Sequence, residues 1–178
     1  MEDRTHTPIR TVFCATDFSE NAKLAQDQAS DLARHHGARL VIGHVIEPIP
    51  VAPYPLLVAT NDGERAIREY ATERMAELVE AAKGPDLEVE SMLATGAPGY
   101  ELIGLAEQAK ADVFVIGTRG LTGFEHLLFG STAEHVVRCC KCPVLTIHPE
   151  DKRRTKPLET VVVPTDLSDG AAVAVDAF

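Results

Sequence analysis

The sequence predicts an α/β protein built on a five-stranded, doubly wound parallel sheet with helices on both faces. Three observations lead there. Short runs of apolar, β-branched residues recur without alternation, as strands buried on both faces do. Between them lie stretches whose apolar residues repeat at spacings of three and four, the period of helices laid against a sheet. A glycine-broken segment, "VIGTRGLTGFEHLLFGSTAEHVV" from Val115 to Val137, joins the fourth such strand to the fourth helix.

The elements follow in order. "TVFCA", Thr11 to Ala15, is the first strand. Ala22, Ala25, Ala29, Leu32 and Ala33 line one face of the next helix, with Ser19 placed to cap its start and Gly37 to end it. His35 and His36 suit the negative end of that helix and solvent. A second strand covers roughly Leu40 to Ile46, where His44 is expected to be a satisfied core or edge histidine. Pro48, Pro50, Pro53 and Pro55 predict an irregular loop. Asn61 or Asp62 is expected to cap a long helix carrying Ile67, Met75, Leu78 and Val79, stopped by Gly84-Pro85. "LEVESML" alternates as a strand at a sheet edge does, "GAPGYELIGLAEQAKA" supplies a turn and the third helix, and "DVFVIG" is the fourth strand. The helix from Ser131 is expected to place Ala133, Val136, Val137 and Cys140 on one face, and "CPVLTIHP" reads as the fifth strand. Strands and helices alternating at these intervals imply right-handed βαβ units.

A chain of 178 residues can bury one full core and part of a second. Its 17 Lys and Arg against 27 Asp and Glu give a formal net charge of −10, which argues against a partner bound through a nucleic-acid backbone. No apolar run approaches the roughly 18 residues of a membrane span, and "MEDRTHTPIR" lacks a signal peptide's apolar core; the expected location is the cytoplasm. His135 and Cys139 stand at helical spacing, yet no second pair completes a zinc set, so Cys14, Cys139, Cys140 and Cys142 are expected to be buried, reduced thiols.

The tail repeats the head. Leu158 to Phe178 aligns without gaps on Ile9 to Ala29, and Thr11, Val12, Thr16, Asp17, Ser19, Ala22, Ala25 and Asp27 recur as Thr160, Val161, Thr165, Asp166, Ser168, Ala171, Ala174 and Asp176. The expected organisation is one complete domain over 1–149, a polar linker "EDKRRTKP" over 150–157, and over 158–178 the first strand and partial first helix of a second copy.

The glycine-broken segment lies where open α/β sheets bind ligands, at the carboxyl edge. Gly117 and Gly120 allow close backbone approach and positive φ, while Gly130, Ser131 and Thr132 open a helix whose first N–H groups and dipole attract an anion, commonly phosphate. Ser131 with Glu134 also spells a capping box, the purely structural alternative. Neither G-x-x-x-x-G-K-[ST] nor a G-x-G-x-x-G after the first strand is present.

The spacing is instead Gly-x2-Gly-x9-Gly-Ser, and with "ATDFSENA", "HVIEP", "ADVFVIGTRG" and "CPVLTI" in order, the stretch Ile9 to His148 resembles the universal stress protein family in its ATP-binding branch. That resemblance implies a Rossmann-like sheet of the adenine nucleotide alpha hydrolase-like type with strand order 3-2-1-4-5. It implies that Asp17 contacts the nucleoside with Ala15 and Thr16 beside it, and that the Val45 backbone reads the adenine edge. It places Gly117 and Gly120, flanked by Ile116 and Arg119, along the ribose and phosphates, and Gly130, Ser131 and Thr132 on the terminal phosphates. Ala15 stands where many members have proline, and Glu125 and His126 occupy a stretch that is often basic in relatives.

ATP adds close to four negative charges to an acidic chain, so Mg²⁺ is expected to ride on the phosphates rather than sit in a protein cage. The resemblance further implies a homodimer through the fifth strand. Of the functions compatible with it, a nucleotide-dependent stress sensor acting on a regulatory partner protein fits best, because no catalytic constellation is spelled out. A slow ATPase or autokinase and a dimerisation module without nucleotide are the alternatives.

Overall fold

Alternation along each strand explains how both faces of the sheet are covered. In this computed structural model, which describes residues 8–48, 61–119 and 130–149, β1 (Thr11–Ala15) turns Val12 and Cys14 to one side and Phe13 and Ala15 to the other. β2 (Arg39–Ile46), β3 (Val89–Thr95), β4 (Val113–Gly117) and β5 (Val144–Ile147) complete a parallel sheet of order β3-β2-β1-β4-β5. The fold class and strand order expected from sequence are thus observed. The described residues from Ile9 onward belong to one compact unit, Ile9–Arg153.

On one face, Val12, Cys14, Leu40 and Ile42 pack against α1 (Glu20–His36) and α2 (Asn61–Ala82) through Ala25, Ala29, Ala33 and Met75. Small residues on α1 let that helix lie close to the central strands. Burial also takes in Gln26 and Ser30, which the apolar spacing did not select; Ser30 Oγ donates to the Gln26 carbonyl at 2.8 Å, so a polar side chain is buried with its partner. On the other face, Phe13, Val41 and Phe114 meet α3 (Pro98–Ala109) and α4 (Ser131–Cys139) through Leu102, Leu105, Ala133 and Val136. The Phe13 and Phe114 rings lie 4.9 Å apart, and a Cβ on Gly43 would fall 2.2 Å from Phe13 Cζ. A glycine in β2 is therefore what admits the aromatic ring.

Helix ends follow local chemistry. Ser19 accepts from the Ala22 N–H, and Gly37 closes α1 in the left-handed region at φ 62°, both as expected. Pro98 opens α3, where its missing N–H costs nothing, and Lys110 ends it with φ 54°. α2 begins at Asn61, taking in both residues expected to precede it; polar and acidic residues are well tolerated in a helix's first turn.

Two expectations are corrected, and the capping-box alternative is set aside. Val137 is 46% exposed, because the nine-residue α4 presents only a narrow stripe, Ala133 and Val136, to the sheet. Only Cys14 of the four cysteines is fully buried; Cys139 is exposed and Cys140 and Cys142 are half-buried, since they follow that stripe out to the α4–β5 turn. Ser131 does not cap α4. Its place is the first helical residue, after an N-cap Gly130 that supplies no side chain, so the capping box does not form and Glu134 pairs instead with Arg138 at 2.9 Å. The expected prolines 50, 53 and 55, Gly120, Glu125, His126, the linker and the second copy at 158–178 lie outside the described residues.

Candidate functional site

The strand order reverses between β1 and β4, and the crevice above their carboxyl ends opens into a cavity of about 590 Å³. Sites of roughly 300–1,000 Å³ are typical for small molecules. Ala15, Thr16 and Asp17 enter it from β1, Val45 from β2, Ile116, Gly117 and Arg119 from β4, and Gly130, Ser131 and Thr132 from α4. Every position selected from sequence lines it except Gly120, which lies outside the described residues.

The β1–α1 corner is built by its own side chains. Thr16 Oγ1 accepts from the Phe18 N–H at 3.1 Å, and Asp17 Oδ1 accepts from the Ser19 N–H at 3.0 Å. Together they hold Phe18 at φ 66°, a conformation that costs an ordinary L-residue roughly 1–2 kcal/mol. One Asp17 oxygen thus serves the corner while the residue still faces the crevice. Phe18 is turned so that its ring rests on His44, centroids 4.2 Å apart, and meets Tyr70 edge-on at 6.4 Å. His44 Nδ1 donates to the Thr16 carbonyl at 2.8 Å, which assigns the proton to Nδ1 and the lone pair to Nε2. Burial pulls the His44 pKa below its ordinary value, against the opposing pull of that hydrogen bond and of Asp17. His44 is satisfied, as expected, but it also lines the cavity.

The β4–α4 side is built from backbone. Gly117 serves close approach rather than positive φ: a Cβ there would crowd the Asn21 carbonyl oxygen at the start of α1, at 3.3 Å. Gly130 N–H donates to the Thr118 carbonyl at 2.8 Å, and Thr118 N–H to that of Ile147 at 2.9 Å. The first bond of the α4 ladder runs from Glu134 N–H to the Gly130 carbonyl, so the N–H groups of Ser131, Thr132 and Ala133 stand ahead of the ladder. With no side-chain cap on Gly130 and those three residues lining the cavity, the positive end of α4 is presented to the crevice.

Sequence reasoning missed Phe18, Tyr70 and Thr118. Thr118 is 3% exposed, lines the cavity, and its hydroxyl has no hydrogen-bond partner among the described residues. Tyr70 carries no sequence signal, because it sits among polar surface residues of α2 and faces the crevice only through the packing of that helix. Among the described residues no three His, Cys, Asp or Glu side chains cluster to hold a metal, and the His135 ring packs on Tyr100 at 4.2 Å.

An anion-presenting helix start at the switch point of a doubly wound sheet defines a small-molecule binding protein of the α/β class. Residues 8–148 match the model of the universal stress protein family, and the chain belongs to that family. A universal stress protein of Thermus aquaticus, encoded 3′ of a sulfhydrylase gene, is 33% identical over 145 residues, covering 78% of this chain and 98% of that one. The solved structure of MJ0577 from Methanocaldococcus jannaschii superposes with a TM-score of 0.70 at 21% identity, covering 82% of this chain and all of the other. A universal stress protein solved in complex with cAMP matches with a TM-score of 0.54 at 29% identity, covering 80% of this chain and 99% of the other.

Proposed function

We propose that this chain binds ATP, or another adenine nucleotide, in the crevice between β1 and β4 and acts as a nucleotide-dependent regulator of the stress response. The observation that carries the reading is the uncapped start of α4, tied to β4 through Gly130 and Thr118 and opening into the cavity. A capping box would have spent that helix end on itself. Ser131 and Thr132 line the wall where phosphates would sit, and Asp17 lies across the crevice on the β1 side for the nucleoside.

The residues present suit Mg²⁺ carried on the phosphates. Asp17 and Glu47 are carboxylates of the cavity wall, Arg119 is a cation of the same wall, and among the described residues none of them belongs to a three-ligand cluster. The metal would supply the charge neutralisation that a helix end, at about 0.3–1 kcal/mol per contact, does not. The same reading carries a homodimer through β5, the start of a second copy of the domain at 158–178, and a cytoplasmic location. β5 is the outer strand of the described sheet, with Leu145 39% exposed on it.

Calorimetric titration with ATP and Mg²⁺ tests the site. Micromolar affinity, about −8 kcal/mol, that disappears in a folded Gly130→Ala, Ser131→Ala variant supports it. No heat and no thermal shift at millimolar ATP would leave an assembly module without nucleotide as the better reading.

A further inference from the structure

The α4–β5 turn brings two half-buried thiols together away from the crevice. Cys140 Sγ and Cys142 Sγ lie 3.5 Å apart across a single intervening residue. Contacts on every side hold that turn in register. Cys140 N–H donates to the Val136 carbonyl at 2.9 Å, Lys141 Nζ pairs with Glu107 Oε1 at 2.8 Å, and Phe114 N–H donates to the Pro143 carbonyl at 2.9 Å. Both cysteines rest against the rim of the core formed with α3 and α4 rather than deep within it.

We propose that Cys140 and Cys142 are a reversible dithiol, closing to an intramolecular disulfide when the chain meets a peroxide and reopening with a dithiol reductant. The sulfurs need to approach by roughly 1.5 Å to reach a bond length of about 2.05 Å, a movement within the reach of side-chain rotation. Burial and the hydrogen bond to Cys140 push the Cys142 thiol up to about 12, and the contact between the two sulfurs leaves either one placed to resolve the other.

The chemistry balances in two steps. The thiolate of one cysteine of the pair attacks one peroxide oxygen; the S–O bond forms, the O–O bond breaks, and the departing hydroxide takes a proton to become water. The second sulfur, giving up its proton, then attacks the sulfenic sulfur of the first; the S–S bond forms, the S–O bond breaks, and the leaving hydroxide takes that proton as a second water. Two sulfurs are oxidised as one peroxide is reduced. The product ties the carboxyl end of α4 to the entry of β5 by a covalent bond.

The test uses the full chain carrying Cys139→Ser, which removes the exposed neighbouring thiol and leaves the pair and the fully buried Cys14 intact. The folded protein is treated with hydrogen peroxide, quenched, denatured and alkylated. Two thiols are expected to be lost together with a mass decrease of two hydrogens, the chain staying monomeric on a non-reducing gel. Dithiothreitol should restore both thiols, and peptide mapping should join positions 140 and 142. Full alkylation of every remaining thiol, oxidation of one cysteine alone to a sulfinic acid, or a bond mapped between chains would each overturn the proposal. Adding Cys142→Ser should abolish the paired loss, and a paired loss that survives it would overturn the assignment of partners.

Discussion

The backbone N–H of Gly130 donates to the carbonyl of Thr118 at 2.8 Å, so the first turn of α4 is anchored to the end of β4 without any side chain closing the helix. Its consequence for binding is specific. Ser131→Asp places a carboxylate at the first helical position, where the dipole favours it by about 0.3–1 kcal/mol. Thermal stability should hold or rise while ATP affinity falls at least tenfold. Affinity unchanged in calorimetry would remove the phosphates from this helix start.

Chelation separates the metal from the protein. With Mg²⁺ carried on the phosphates, EDTA should weaken ATP binding several-fold and leave the unfolding temperature of the nucleotide-free chain where it was. A drop in that temperature would point to a protein-bound structural ion, and identical ATP affinity with and without chelator would count against any metal role.

The His44 ring gives stability a pH dependence of known sign. Its folded pKa is lowered from 6.5 by burial, so the unfolded chain takes up the proton first. As pH falls below about 6.5, the unfolded state gains protons that the folded state refuses, and stability drops until the folded pKa is passed. Urea midpoints measured between neutral pH and pH 5 should therefore fall more steeply for the natural chain than for His44→Gln. Parallel slopes would show that the ring does not titrate differently on folding.

Gly43 should tolerate no side chain. A Cβ 2.2 Å from Phe13 Cζ forces the ring against Phe114 and the α3 face, and overpacking of this kind costs about 1–3 kcal/mol or more. Gly43→Ala is expected to lower the denaturant midpoint clearly, and Phe13→Leu in the same chain should recover part of the loss. An unshifted midpoint in the single variant would mean the ring has another place to go.

Leu145→Lys puts a charge on the exposed face of the outer strand. If β5 is the dimer seam, light scattering at micromolar concentration should change from dimer to monomer with little change in helical circular dichroism. A natural chain that is already monomeric would end the dimer proposal at once.

The order of elements, the caps at Ser19 and Gly37, and the helix start at Gly130 were legible in the chain because each rests on local chemistry: apolar period, a hydroxyl before a helix, a glycine at a fixed spacing; Asp17 and Val45 were placed by family resemblance instead. A helix start after Gly-Ser announces an anion site wherever the chain places it. What tertiary packing alone decided is which side chains share a space. Phe18 meets His44 and Tyr70 only because Thr16 and Asp17 bend the corner into the left-handed region, and α2 then swings Tyr70 over it from some fifty residues away. Cys140 and Cys142 carry a sequence pattern that reads equally well as core, and only the width of the stripe α4 turns to the sheet leaves them at the rim with their sulfurs in contact. Backbone preference and periodicity are properties of neighbours in sequence and can be read there; burial and contact depend on the distance between elements, which is set when the helices close on the sheet.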